Sequence, residues 1–346
     1  MQLSTTYLTD YCKIYVADPE YTQADALAAY CRVHRTEIMQ QLHQHGILLF
    51  RGFKIERSYE FYELIEQHLQ LEPRNSITPN TQGWFATLMR KHSEKLFGIN
   101  NEKLYHNHNI VQLKPRENAI QNLHIQGSMH STRSRYVALF CQQTSTHLAE
   151  TGFNDLEKIW NHFPTSIQKK YLGAWSHFSY ISIRKLNILD RLLLKNSPFY
   201  LSKLTNKRAK LTLKRSPFVI THPDTQRLAI QPWVFANNTH TFAHHTTQTI
   251  CKHRGSLQSG FTANHMQLSW ELFTYTGEKI EWTHQEKQQY FDALYRDALL
   301  VQWQQGDIAL VDNIKIAHWR INDGNENHNL LQIQANVFHA DLHSAI

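Results

Sequence analysis

Cysteine is rare in this chain, and the few cysteines are far apart. They are Cys12, Cys31, Cys141 and Cys251, and no two of them form a Cys-x-x-Cys pair. This spacing excludes a zinc ribbon and a thioredoxin-like redox motif. Scattered thiols are typical of a reducing compartment, so we expect a cytoplasmic protein.

Long hydrophobic runs are also missing. The longest apolar stretches are a handful of residues, far short of the roughly 20 that a membrane helix needs. The N-terminal sequence MQLSTTYLTDYCKIYVADPE has no basic start followed by an apolar core, so we expect no signal peptide. The sequence therefore predicts a soluble protein that does not act at a membrane.

Glycine is scarce as well, with 12 among 346 residues, although 41% of the chain is hydrophobic. Division of the length by a typical domain size suggests two domains, but no Gly/Pro/Ser-rich linker separates them. There is ample apolar material for a large core. We therefore expect one domain that spans residues 1–346.

The charge balance is mildly basic: 36 Lys and Arg oppose 29 Asp and Glu, for a net charge of +7. This excess is too small for the length to indicate nucleic-acid binding. It is concentrated between Arg184 and Arg215, in RKLNILDRLLLKN and KLTNKRAKLTLKR. Two interpretations remain open: a solvated helical insertion, or a basic lid that attracts an acidic substrate or carrier. No interleaved aromatic residues support a nucleic-acid platform.

Hydrophobic periodicity predicts a sheet decorated by helices. Helices are expected over residues 25–44, 59–69, 155–162 and 285–299. Strands are expected over residues 46–53, 136–141, 218–221, 228–231, 306–312 and 330–338, and the last of these alternates as a half-buried strand does.

Histidine is abundant, with 23 residues, and most of them must be structural or exposed. His124 precedes a predicted buried strand, and His318 directly follows GDIALVDNIKIA. Imidazoles delivered from two ordered strands can converge on one metal ion, and imidazole suits iron, zinc, copper or nickel. Taken alone, this pattern is equally compatible with ordinary core or surface histidines.

Five segments in a fixed order carry a resemblance. They are GILLFRGF, LHIQ followed by RYVALFC, AETGFND, THPDTQRLAIQPW and WQQGDIALVDNIKIAHWR. Together they resemble the taurine-dioxygenase-like (TauD/TfdA) superfamily of Fe(II)/2-oxoglutarate oxygenases. Within it, the chain is most similar to clavaminate-synthase-like enzymes and the aspartate hydroxylases that tailor nonribosomal peptides. The resemblance covers residues from about 45 to 338.

The resemblance implies a mainly β fold with flanking helices: a double-stranded β-helix, or jelly roll, with the basic helical insertion over its mouth. It implies Fe(II) on a His-x-Asp/Glu…His triad, with His124 and His318 as the imidazole ligands. Thr151 matches a position that hydrogen-bonds the 2-oxoglutarate carboxylate. Arg184, Arg320 and His130 are expected at the substrate, a small molecule such as an amino acid or a carrier-bound intermediate.

Two positions depart from this family pattern. Gln126 occupies the place of the carboxylate ligand, and an amide oxygen compensates the charge of Fe(II) less well. The family's arginine for the far carboxylate of 2-oxoglutarate is also missing, since no Lys or Arg follows Arg320. His328 or Asn329 stands at that arginine's place, and the second family arginine is replaced by Gln332 or Ile333. Asn329 is the expected cofactor contact.

Three interpretations follow from these departures. A displaced ligand, such as Glu150, Asp155, His130 or His328, could complete a metal site with His124 and His318, or Gln126 itself could ligate. The fold could instead support a metal enzyme that does not use 2-oxoglutarate, since fold does not fix function. The third is a non-catalytic protein that binds a ligand or partner. We expect a non-haem iron oxygenase with a non-standard His-x-Gln…His site.

Overall fold

The structure is a computed structural model. It describes residues 3–74, 105–106, 109–113, 121–144, 150–182, 185–195, 199–205, 208–232, 236, 238–253, 268–321 and 329–346. Arg184 and His328, which the sequence singled out, lie outside the described residues.

Strands dominate the described part of the chain. In chain order they are β1 (Ser4–Thr9), β2 (Cys12–Val16), β3 (Ile47–Arg51), β4 (Pro73–Arg74), β5 (Tyr105–His106), β6 (Ile110–Leu113), β7 (Gln121–His124), β8 (Thr132–Gln143), β9 (Thr151–Asp155), β10 (Trp175–Ile181), β11 (Phe199–Thr205), β12 (Arg208–Leu213), β13 (Ser216–Pro217), β14 (Val219–Thr221), β15 (Leu228–Ile230), β16 (Leu268–Phe273), β17 (Leu299–Val301), β18 (Ile308–Asp312), β19 (Ile316–Arg320) and β20 (Asn329–His339).

Helices flank these strands. They are α1 (Ala24–Val33), α2 (Arg35–His45), α3 (Ser58–Glu63) with a π-helical continuation (Leu64–His68), α4 (Leu156–His162), α5 (Thr165–Tyr171), α6 (Ile188–Lys195), α7 (His240–His253), α8 (His284–Tyr295) and a 3-10 turn (Ala340–His343). Among the described residues, none of the helices combines the length and the apolar composition that a membrane crossing requires.

Two sheets face each other. The larger has nine strands in the order β1-β2-β3-β18-β8-β20-β6-β5, with β4 added on β20, and the smaller has four in the order β17-β9-β19-β7. A five-stranded sheet (β11-β12-β10-β13, with β16 on β10) and the β14-β15 hairpin lie beside them. The mainly β architecture with flanking helices confirms the predicted fold class, and the paired sheets are those of a jelly roll.

Each face of the nine-stranded sheet contacts its own apolar layer. Strand β18 shows this alternation: Ile308 and Leu310 pack with the residues of α1, α2 and α3, whereas Ala309 and Val311 pack toward the four-stranded sheet. A central strand buried on both faces has a continuous apolar sequence, which is why IALVD was recognisable. The space between the two sheets is where the candidate site lies.

The turn from β18 to β19, Asp312–Lys315, crosses from the larger sheet to the smaller one, and we call it the crossover turn. Asp312 accepts from Arg135 at 3.0 Å and lies 2.9 Å from His222 Nε2. Lys315 donates to the Gln44 carbonyl at 2.8 Å and pairs with Glu157 at 3.1 Å. Burial alone would raise the pKa of Asp312, but Arg135 and His222 hold it well below its usual value. The turn is therefore fixed at both ends.

The basic region contains one helix and a β-hairpin, so the expectation of a helical insertion is wrong for its second half. Helix α6 is followed by strands β11 and β12, which pair and extend the five-stranded sheet through β10. In β12, Ala209, Leu211 and Leu213 are buried while Arg208 and Lys210 are exposed. This is a period of two, the pattern of a half-buried strand, and RAKLTL shows it in the sequence.

Most other element predictions are confirmed, with two differences. The helix predicted over residues 25–44 is two helices, because His34 leaves the helical region at φ −100° and ψ 18°. Strand β20 is more buried than its alternation suggests: Gln332 and Gln334 are 2% and 7% exposed. The polar side chains face the space between the sheets rather than solvent.

Candidate metal centre between the two sheets

His124 and His318 lie side by side. His124 is the last residue of β7, and it pairs directly with His318 on β19. Directly opposed residues of antiparallel strands place their side chains on the same face, and here the ring centroids are 4.4 Å apart. Both residues are buried. The structure therefore brings together the two imidazoles that the sequence had singled out.

His318 has the properties of a neutral metal ligand. Burial, and then the neighbouring His124, hold the pKa of His318 well below its usual range. The ring is therefore neutral near pH 7. Its Nδ1 atom is buried and has no hydrogen-bond partner among the described residues, which is rare for a buried ring nitrogen. A neutral imidazole with an unpartnered nitrogen is the form that binds metals.

Gln126 lies in the turn after His124, and its backbone is held from the crossover turn. The buried side chain of Asn313 accepts from the Gln126 backbone N–H at 2.9 Å and donates to its carbonyl at 3.0 Å. Gly127 follows at φ +80°, a conformation that favours glycine. This clamp positions Gln126 so that it lines the same cavity as the two histidines.

The close contact between Trp319 and Gly152 fixes how β19 lies against β9. The two residues are directly paired, and any Cβ on Gly152 would overlap the indole of Trp319. On this face Trp319 donates to Asn154 Oδ1 at 3.0 Å. Because neighbouring residues of a strand point to opposite faces, the other face presents His318 and Arg320.

Thr151 and Arg320 lie directly opposite each other on that inner face. The Thr151 hydroxyl accepts from the Trp303 indole N–H at 2.9 Å, and Arg320 donates to the Leu113 carbonyl at 3.1 Å. Both side chains are buried. These contacts hold a hydroxyl and a guanidinium in the cavity beside the imidazole pair.

The cavity is small, and its lining combines polar and apolar side chains. Its volume is about 20 Å³, which is enough for about one water molecule or one ion. It is lined by Leu113, His124, Gln126, Leu139, Thr151, His318, Trp319, Arg320, Leu330 and Gln332. No carboxylate is among these described lining residues. Arg320 contributes a permanent positive charge to the cavity wall.

The other predicted site residues lie elsewhere. Asn329 does not line the cavity, since its amide donates to Gln142 at 2.7 Å, and Gln332 is the polar residue of β20 that reaches the site. His130 packs against Phe199 at a centroid distance of 6.5 Å. Asp155 accepts from two backbone N–H groups as the N-cap of α4. None of these three residues completes a triad with His124 and His318.

In the part of the chain that the structure describes, acidic side chains do not complete the metal site either. Glu150 is buried next to Thr151, yet it is not one of the residues that line the cavity. Among the residues that the structure describes, no group of three or more His, Cys, Asp or Glu side chains could hold a metal ion. Among the described residues, a further donor to a metal at the two imidazoles would come from an amide or hydroxyl, and Gln126 is the amide that lines the cavity with His124.

Asn313 and Trp303 are the supporting residues that the sequence interpretation missed. Asn313 follows a buried strand in VDNIK, where a polar residue reads as an ordinary turn residue. Trp303 precedes the turn that leads into β18, in WQQGD, and a tryptophan at such a position is typical of the hydrophobic core. Only the fold shows that one of them holds Gln126 and the other holds Thr151.

The paired sheets with a His-x-Gln…His arrangement between them define a jelly-roll protein of the non-haem iron oxygenase type. The chain belongs to the taurine catabolism dioxygenase TauD, TfdA family, whose model matches residues 15–332. No curated protein is similar enough to the chain to count as a match.

Several solved structures share the fold. A taurine dioxygenase from Burkholderia xenovorans is 10% identical with a TM-score of 0.52, covering 96% of this chain and 89% of its own. PvcB from Pseudomonas aeruginosa is 11% identical with a TM-score of 0.55, covering 99% and 93%. AAD-2, solved with Mn(II) and N-oxalylglycine, is 9% identical with a TM-score of 0.51, covering 96% and 97%. PvcB is described as an Fe, alpha-ketoglutarate dependent oxygenase.

A divalent metal fits part of this donor set. The two adjacent imidazoles are suitable ligands for Fe(II) or Mn(II), and the unpartnered Nδ1 of His318 is accounted for if the ring binds a metal. An amide oxygen from Gln126 is a weaker third donor, because it brings no negative charge. The donor set therefore fits a metal that an additional anionic ligand accompanies.

Proposed function

We propose that this protein is a non-haem, metal-dependent oxygenase of the TauD/TfdA family, with Fe(II) held by His124 and His318. The observation that supports this most is the pair of opposed, buried imidazoles with centroids 4.4 Å apart. When bound, Fe(II) with a 2-oxo acid supplies the oxidising power for attack on an unactivated C–H bond. Gln126 is the third protein donor, and it leaves more of the metal's charge for exogenous ligands to compensate.

The residues of the chain have separate roles in this proposal. His124 and His318 bind the metal, and Asn313 holds the backbone of Gln126 so that its side chain stays in the cavity. Thr151, oriented by Trp303, offers a hydroxyl to a bound carboxylate. Leu139 and Leu330 form the apolar wall, which excludes water and so strengthens the polar interactions in the site.

We further propose a small-molecule substrate, such as an amino acid or a carrier-bound biosynthetic intermediate, in the cytoplasm. A cavity with a fixed guanidinium favours a ligand with a carboxylate. The exposed basic side chains of β12 would attract such an acidic molecule from solution.

A second candidate function is a non-catalytic protein that binds a ligand in the same cavity. The observation that favours it is the absence of any carboxylate among the described residues that line the cavity. In that case the buried imidazoles act as hydrogen-bonding groups for the ligand rather than as metal ligands. Metal binding separates the two candidates.

The deciding experiment is a titration of the metal-free protein with Mn(II), followed by calorimetry and by electron paramagnetic resonance. We expect one Mn(II) per chain, lost in His318→Ala and retained in the control His130→Ala, whose ring packs on Phe199 instead. Absence of stoichiometric Mn(II) or Fe(II) in the wild-type protein would refute the oxygenase and favour the binding protein.

A second variant tests the role of the amide. Gln126→Glu adds a carboxylate where the family pattern has one, and added ligand charge tightens the binding of hard cations. We expect roughly ten-fold or greater tightening of Mn(II) binding. Gln142→Glu is the matched control, because Gln142 does not line the cavity. This variant should leave the Mn(II) affinity unchanged. Equal affinities of wild type and Gln126→Glu would mean that this side chain does not reach the metal.

A further inference from the structure

Helix α6 and the neighbouring strand β11 pack against each other and expose several large apolar side chains. In α6, Ile188 is 81% exposed and Leu192 is 53% exposed, and Leu189 beside them is exposed as well. Strand β11 exposes Tyr200 and Leu201. Soluble proteins rarely leave a group of large apolar side chains in water without a function for it. This part of the surface is therefore a candidate contact surface.

The exposed side of α6 separates apolar from basic residues. Residues four apart lie one above the other on a helix, so Ile188 and Leu192 form an apolar stripe, and Arg191 and Lys195 form a basic stripe beside it. All four residues are exposed, whereas Leu194 on the opposite side packs into the core. The outward side is called the α6 face and consists of Ile188, Leu189, Arg191, Leu192 and Lys195.

The charge of this segment is strongly one-sided. Between Arg184 and Arg215 the sequence has ten basic residues and a single acidic one, Asp190. Asp190 is buried, and its carboxylate accepts from the Asn187 backbone N–H at 2.7 Å, while the Asn187 side chain accepts from the Asp190 backbone N–H at 2.8 Å. This reciprocal cap directs the negative charge to the start of the helix and away from solvent. The α6 face therefore carries positive charge only.

We propose that the α6 face binds the surface of a membrane that contains anionic lipids. Ile188, Leu189 and Leu192 enter the boundary between the headgroups and the acyl chains, and Arg191 and Lys195 contact lipid phosphates beside them. Helices that lie in a membrane interface combine apolar and basic residues in this way, and long basic side chains reach from the apolar layer to the headgroups. This binding is separate from the oxygenase function and does not depend on it.

The composition of the surface favours lipid over an acidic protein as the occupant. Protein–protein interfaces are depleted in lysine, whereas clusters of lysine and arginine are typical of surfaces that bind anionic lipids. A second copy of the chain is disfavoured, because it would bring two basic faces together. The exposed basic residues in the described part of this segment are mostly lysines: Lys185, Arg191, Lys195, Arg208, Lys210 and Lys214.

The sequence predicted a protein that does not act at a membrane, because it has no apolar run long enough to span one. A helix that lies in the interface needs no such run. In the sequence, ILDRLLLK has the composition of an ordinary helix that packs on a core. Only the structure shows that Ile188 and Leu192 point outward.

The test measures the binding of the full-length protein to vesicles by co-sedimentation. One set of vesicles is phosphatidylcholine alone, and the other is an equal mixture of phosphatidylcholine and phosphatidylglycerol. We expect the wild type to bind the mixed vesicles about ten-fold or more tightly than the neutral ones, because basic side chains near an anionic surface each strengthen the attraction. This affinity should fall as the salt concentration rises.

Two double variants test the two stripes separately. Ile188→Ser/Leu192→Ser removes the apolar contact at unchanged charge, and Arg191→Gln/Lys195→Gln removes the charge. We expect each to weaken binding to the mixed vesicles by about ten-fold or more. The substituted side chains are exposed, so both variants should keep the unfolding midpoint of the wild type.

Each variant has a matched control elsewhere on the surface. Val33→Ser/Leu342→Ser removes two exposed apolar side chains, and Arg227→Gln/Lys279→Gln removes two exposed basic ones. Both controls should bind the mixed vesicles as the wild type does.

Three results would overturn the proposal. If Ile188→Ser/Leu192→Ser binds the mixed vesicles as tightly as the wild type, the apolar stripe does not enter the membrane. If the wild type binds neutral and mixed vesicles equally, the basic stripe does not recognise anionic lipid. If it binds neither, lipid is not the occupant, and an acidic protein surface takes its place. The metal titration has its own readout, so none of these results bears on the oxygenase proposal.

Discussion

Asp312 shows how much one side chain contributes to the geometry of the site. Its carboxylate is fully buried and interacts with Arg135 and His222, and its other oxygen accepts from the Ile314 backbone N–H at 3.0 Å. The next residue is Asn313, which holds Gln126. A change at Asp312 therefore acts on the site through the crossover turn, although Asp312 does not line the cavity.

We predict that Asp312→Asn lowers the free energy of unfolding by about 3–5 kcal/mol at pH 7, because it removes the fully buried counter-charge of Arg135 and leaves only the partly exposed Asp224. The folded-state pKa of Asp312 is depressed, so its stabilisation is present above pH 3.8 and is lost as pH falls below that value. The gap between the variant and the wild type should therefore narrow in acid.

Denaturant unfolding at several pH values measures this difference. Asp224→Asn is the control, since Asp224 contacts the same Arg135 but is 42% exposed; we expect about 1 kcal/mol or less there. Similar effects at the two positions would show that burial of the Asp312 pair is not what stabilises the turn.

At the scale of strands, the contact of Trp319 with Gly152 sets the register of β19 on β9. A shift by one residue would turn His318 and Arg320 away from the cavity, because side chains alternate between the faces of a strand. Glycine is required here for space rather than for its backbone conformation: a Cβ would meet the indole ring.

We predict that Gly152→Ala destabilises the protein by about 1–3 kcal/mol or more, as overpacking of a tight core does. In a Trp319→Phe background the same substitution should cost less, since the smaller ring leaves room for a methyl group. A double-mutant cycle of unfolding free energies measures this coupling. If the two substitutions changed the free energy of unfolding additively, the predicted clash between the Gly152→Ala methyl group and the Trp319 ring would be contradicted.

The strands also show what could be predicted from sequence. Continuous apolar runs such as ILLF and IALV were sufficient to predict β3 and β18, and the ends of strands pointed to His124 and His318. The sequence left open which residue of β20 enters the cavity, since Asn329 was the expected contact and Gln332 was one of two candidates for the place of the second arginine. A register shift between Asn329 and Leu330 changes which side chains share a face, and a bulge of this kind has no signature in the alternation of residues.

The hydrogen bonds that orient the cavity residues could not be predicted from the sequence either. The clamp on Gln126 joins residues 126 and 313, and the bond that orients Thr151 joins residues 151 and 303. Such pairs come together only after both sheets have formed. Local pattern and resemblance predicted which strands frame the site, whereas the interactions that orient its side chains are tertiary.

At the scale of the whole molecule, Asp155 and Asp312 make the free energy of unfolding depend on pH in opposite directions. The pKa of Asp155 is raised in the folded protein, whereas that of Asp312 is lowered. Burial raises the pKa of Asp155 to about 6, against an opposing effect of Lys315. Because this folded-state value lies above the ordinary 3.8, the native protein binds the proton more tightly than the unfolded chain. Stability from this group is present below about pH 4 and is lost as pH rises to about 6.

We predict that Asp155→Asn, which keeps a good N-cap for α4, removes this dependence. Relative to the wild type, the variant should gain roughly 2–3 kcal/mol of stability between pH 4 and pH 7. Unfolding midpoints across this range test the prediction, with Asp297→Asn, 53% exposed at its side chain, as the control. If the free energies of unfolding of Asp155→Asn and the wild type differed by the same amount at every pH in this range, the pKa of Asp155 would not be raised in the folded protein.

The Trp319–Gly152 contact has a consequence for how this site can change. The residues that lock β19 in place lie on one face of the strand, and the residues that determine the chemistry lie on the other. Substitutions at His318 or Arg320 therefore change the groups that β19 presents to the cavity without touching the contact that holds the strand in place. Because the contact that positions the strand is separate from the side chains that face the cavity, single substitutions on the cavity face leave the packing of β19 on β9 intact.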